Sequence, residues 1–67
     1  MKYKVDERVR VNIPAFHRLY GDPHTNVWHI DHIKTQLNGY PSLYVCYNVN
    51  DKHKLLFHFL EKELDRI

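Results

Sequence analysis

Val5, Val9, Val11 and Ile13 alternate with Asp6, Arg8, Arg10 and Asn12, and a period of two recurs through most of this 67-residue chain. An extended strand sends successive side chains to opposite faces, so such a segment buries one face and wets the other. The pattern predicts short strands in sequence, not helices. Residues 5–13 read as a first strand with a charged outer face. Pro14 cannot donate to a ladder and ends it.

Residues 14–26 read as a long loop, punctuated by Gly21 and Pro23. Residues 27–35 form a second strand in which Trp28 and Ile30 share a face and Ile33 falls out of phase. A β-bulge near Asp31–His32 would return Ile33 to the core. Asn38-Gly39 is a hairpin signal. Residues 43–49 read as a third strand and 54–59 as a fourth, joined by the polar turn Asn50-Asp51-Lys52-His53. Residues 60–64 suit one 3-10 turn, and 65–67 a short fifth strand against the first. The predicted fold is all-β, a small SH3-like barrel of four or five antiparallel strands spanning residues 1–67 as one domain. Its expected core is Val5, Val9, Val11, Trp28, Ile30, Ile33, Val45, Tyr47, Phe57, Phe59 and Leu64. An open sheet closed by dimerisation is the alternative, so the chain is read as a monomer or a weak homodimer.

Hydrophobic residues make up 43% of the chain and aromatics 13%, enough to fold without metal or disulfide staples. The single cysteine, Cys46, allows no intrachain disulfide and suits a reducing compartment. No apolar run approaches the ~20 residues that span a bilayer. The opening MKYKVDERVR lacks an apolar signal core. A cytoplasmic protein without membrane contact is expected. The net charge of +2 is too small to argue by itself for strong nucleic-acid binding.

The run Tyr20-Gly21-Asp22-Pro23-His24, followed by a strand holding Trp28, Ile30 and Ile33, resembles YorP-type proteins. These are small proteins encoded by Bacillus phages and prophages. Phe59-Leu60-Glu61-Lys62-Glu63-Leu64 likewise resembles their F-x-E-x-E-L ending. The resemblance implies an SH3-like barrel and a phage origin, hence the host cytoplasm, and no settled activity. Asn26 and Val27 stand where that pattern has glycines.

Six histidines, His17, His24, His29, His32, His53 and His58, match no known ligand spacing, so no metal or cofactor is expected. Ser42 lies in a turn without a motif, and Cys46 sits in an apolar strand where a thiol is inert. The chain reads as a non-enzymatic interaction module. Phe16, His17, Tyr20, His24 and Tyr40 would form an aromatic, partly basic rim around the 14–26 loop that docks a protein partner. The other reading of Phe16 and Tyr20 is a mini-core beneath that loop. Nucleic-acid binding through Lys4, Arg8, Arg10 and Arg18 is the alternative function. An inhibitor of a host defence system is a minor third reading.

Overall fold

A computed structural model describes residues 2–21 and 26–67. It contains strands β1 (Arg8–Val11), β2 (Trp28–Lys34), β3 (Leu43–Asn48), β4 (Phe57–Phe59) and β5 (Leu64–Arg66). A helix, α1 (Pro14–Tyr20), follows β1, and a 3-10 turn at Glu61–Glu63 precedes β5. The strands form one antiparallel sheet in the order β4-β3-β2-β1-β5. The fold is therefore all-β, with the last strand returning against the first as the alternation predicts. The hydrogen-bonded order begins at β4 and ends at β5, and the 3-10 turn leads from one to the other. Glu63 holds that turn: its carboxylate accepts the Leu60 N–H at 2.8 Å, and its own N–H donates to the Leu60 carbonyl at 3.0 Å. Asn12 ties the turn to β1 by donating to the carbonyls of Glu63 at 2.9 Å and Lys62 at 3.0 Å.

The expected bulge is present. The β2–β3 register shifts between Ile30 and His32, so Ile33 packs against the core again. Leu37 to Tyr40 make the expected turn, with Gly39 at φ 90° and the Tyr40 N–H on the Leu37 carbonyl at 3.1 Å.

Four expectations fail, and one is simply length: the fourth strand, expected over 54–59, covers only Phe57–Phe59. Residues 14–20 are helix, not loop. Pro14 occupies the first helical turn, where its missing N–H costs nothing, and Gly21 ends the helix with φ 93° and its N–H on the His17 carbonyl at 2.8 Å. Phe16 and Tyr20, four apart, share the face that meets the core.

The first strand is also shorter than 5–13. The Glu7 N–H bonds the Lys4 carbonyl at 3.1 Å, the Lys4 N–H bonds Glu7 Oε1 at 3.1 Å, and Asp6 sits at φ 71°. This turn leaves Val5 49% exposed and buries Tyr3 in its place. Tyr3 meets Tyr44 edge-on at 5.5 Å, and its hydroxyl donates to the Leu64 carbonyl at 3.1 Å.

Finally, β3 has the opposite phase. Tyr44, Cys46 and Asn48 face the core because they pair with Ile33, Ile30 and Trp28. Tyr47 is instead half-buried on the outer face. Val45 shares that outer face and is still buried, lying between His32 and His58 in the register. The remaining expected core positions, Val9, Val11, Trp28, Ile30, Phe59 and Leu64, are buried, with Ile33 and Phe57 packed against them.

Candidate binding groove

The registers sort the connections onto two rims. The end of β1, α1, the start of β2 and the 49–56 connection share one rim. Residues 2–7 and the 35–42 connection lie toward the other.

On the first rim, α1 is seated by aromatic contacts. Phe16 meets Trp28, Phe57 and Phe59 edge-on, with ring centroids 5.5, 5.0 and 5.2 Å away. Tyr20 stacks beside Phe16 at 6.4 Å and meets Trp28 edge-on at 5.0 Å. Both rings therefore pack from α1 onto the main core. Edge-to-face pairs of this kind add to the area they bury.

A polar chain then joins the helix end to the far connection. Asn26 Nδ2 donates to the Tyr20 carbonyl, and Asn48 Nδ2 donates to Asn26 Oδ1 at 3.2 Å. Asn48 Oδ1 accepts the Asn50 N–H at 2.9 Å. Asp51 is a second link. Its carboxylate accepts the N–H groups of His53 at 2.9 Å and Leu55 at 3.3 Å, and the Tyr20 hydroxyl in a long contact at 3.5 Å. The His53 N–H above all holds the Asp51 carboxyl below its ordinary range, against desolvation and with a smaller contribution from the Leu55 N–H. Burial, then the Asp51 charge, pushes the Tyr20 phenol up, so it stays a donor.

Between these elements runs an open groove of about 540 Å³. Leu19 and Leu55 lie on its walls, 72% and 55% exposed. Asn26, Asn48 and Asp51 lie in its lining with their hydrogen bonds already made.

Phe16, His17 and Tyr20 do come together on this rim. All three are half-buried, and His17 Nε2–H donates to the Val11 carbonyl at 3.0 Å. Tyr40 does not join them, because it lies in the β2–β3 connection at the other rim. His24 lies outside the described residues. The basic quartet is also scattered. Arg8 and Arg10 alternate with the core residues of β1 onto the outer sheet face, Arg18 is on α1, and Lys4 is in the turn before β1. Leu19, Asn26, Asn48, Asp51 and Leu55 were not singled out from the sequence. The Asn48-to-Asp51 run was the available signal, since Asn and Asp side chains cap tight turns.

Cys46 is buried, and burial followed by the Asp31 charge pushes its thiol up to about 12. Among the described residues no group of three or more His, Cys, Asp or Glu is placed to hold a metal ion, and no helix is long and apolar enough to cross a membrane. Comparison with known protein families, with curated proteins and with solved structures finds no match for this chain.

Proposed function

We propose that this chain is a non-enzymatic interaction module that receives an extended segment of a partner protein in the groove between α1 and the 49–56 connection. One observation carries the reading: Leu19 and Leu55 stand exposed on a groove in which Tyr20, Asn26, Asn48 and Asp51 are already engaged in hydrogen bonds. Such a site rewards an apolar side chain set beside those paired groups. Its volume falls in the range of roughly 300–1,000 Å³ usual for binding clefts. Docking at this rim keeps Tyr20 from the sequence-based site and moves the contact from Phe16 to Leu19 and Leu55. On the phage origin that the YorP-type resemblance implies, the partner is a host or phage protein.

The test is a peptide-display selection against the wild-type chain, followed by titration of the selected peptides. Leu19→Asp and Leu55→Asp, each with an unchanged circular dichroism spectrum, should weaken binding at least tenfold. Equal binding by both variants would place the partner elsewhere.

A further inference from the structure

The sheet face turned away from the core carries a row of side chains that the groove does not use. Arg8 lies opposite His29 in the register, and His29 opposite Tyr47. The His29 imidazole stacks on the Tyr47 ring, with centroids 5.2 Å apart and planes at 21°. Lys54 Nζ lies 5.5 Å from the same ring centroid, and Asp6 Oδ1 accepts from His29 Nε2 at 3.0 Å.

The backbone singles out the same row. Asp6 at φ 71° and Lys54 at φ 50° are the only non-glycine residues with positive φ among the described residues. One places its side chain on His29 and the other over Tyr47, at the two ends of the stack. Each lies in a tight turn, 4–7 or 51–54, which fixes that placement.

We propose that this face binds single-stranded nucleic acid, with bases against the His29–Tyr47 platform and phosphates on Arg8, Arg10 and Lys54. Charge complementarity selects that occupant. Arg8, Arg10 and Lys34 alternate onto this face, and Lys54 reaches it over Tyr47. Three carboxylates lie nearby, Asp6 on His29, Asp31 on His32 at 2.7 Å, and Asp65 opposite Arg10 in the register, and the four cations outnumber them by one. Every base has a π-face, so an aromatic platform beside cations takes single strands with little sequence preference. A base entering over Tyr47 displaces the Lys54 ammonium onto the adjoining phosphate. The site shares no residue with the groove.

Fluorescence anisotropy tests this with fluorescein-labelled oligo-dT, oligo-U and a duplex, each about 12 nucleotides long. Three phosphate contacts predict roughly twentyfold weaker single-strand binding between 50 and 200 mM salt. Arg8→Ala should cut that ratio to about sevenfold. Tyr47→Ala should weaken binding about tenfold, Tyr47→Phe should restore it, and Leu19→Asp should change nothing. The proposal is overturned by no binding at 50 mM salt, by wild-type affinity in Tyr47→Ala and Arg8→Ala, or by a duplex bound as tightly as the single strands.

Discussion

Asn48 Nδ2 donates to Asn26 Oδ1 at 3.2 Å from a side chain with no solvent exposure, directly across the ladder from Trp28. A polar group so placed is tolerated because both its ends are used, one on Asn26 and one on the Asn50 N–H. Asn48→Leu leaves both partners short of a bond. Stability should fall by about 2 kcal/mol, lowering the melting temperature by roughly 10 °C, as read by thermal circular dichroism. An unchanged melting point would mean that the Asn26–Asn48 link does not hold the groove floor.

Gly21 and Gly39 both have positive φ, but they differ in what surrounds them. Gly39 at φ 90° has open space where a Cβ would stand. Gly21 combines φ 93° with ψ −162°, a region that is essentially glycine's alone, and its Cβ would meet Asn26 Nδ2 at 3.4 Å. Gly21→Ala should therefore cost more than Gly39→Ala, by at least about 1 kcal/mol in urea unfolding. It should also weaken ligand binding in the groove, because Asn26 is part of the lining.

These features differ in how far the sequence reveals them. The bulge was legible because Ile33 breaks phase with Trp28 and Ile30 by one residue, and only an inserted residue repairs that. The 3-10 turn and the returning last strand were legible from Leu60 and Leu64 bracketing an acidic turn. The phase of β3 was not legible, since Leu43, Tyr44, Val45, Cys46 and Tyr47 are all acceptable strand residues on either face. Pairing of Ile30 with Cys46 across the ladder decides it, and that is a property of two strands. Helix α1 was hidden for a related reason. Seven residues opening on proline carry almost no helical signal, and tertiary contacts through Phe16 and Tyr20 supply what propensity does not.

Cys46 offers a probe of the fold that leaves its contacts alone. Its thiol is pushed up to about 12 and is buried, so the thiolate is scarce at neutral pH and shielded when formed. Dithionitrobenzoate at pH 8 should label the folded chain far more slowly than the chain in urea, and the ratio should report opening of the sheet. Immediate labelling in buffer would contradict the burial.

Asp51 gives the 49–56 connection an acid sensitivity. Its carboxyl is held below the ordinary 3.8 by the His53 N–H first, so folding favours the charged form. The stabilisation is therefore fully present above the unfolded value and is lost as pH falls through the lower folded value. The melting-temperature gap between wild type and Asp51→Ala should close as the pH drops below about 4. A gap that persists into strong acid would assign the effect to packing.

Phe16 decides whether the groove has a wall. A helix of seven residues is far below the roughly 12–15 needed for stability alone, so α1 persists through what it packs against. Phe16 meets Trp28, Phe57 and Phe59 at once, whereas Arg18 on the same helix is exposed. Phe16→Ala should cost about 2 kcal/mol, less than the 3–5 of a fully buried phenylalanine because the ring is only half-buried. It should also abolish amide-exchange protection at Gly21, whose N–H bonds the His17 carbonyl, while the β2–β3 ladder keeps its own. Arg18→Ala should change neither. Retained protection at Gly21 in Phe16→Ala would show that Tyr20 and its polar links suffice to seat the helix, and that the groove keeps its shape without the Phe16 ring.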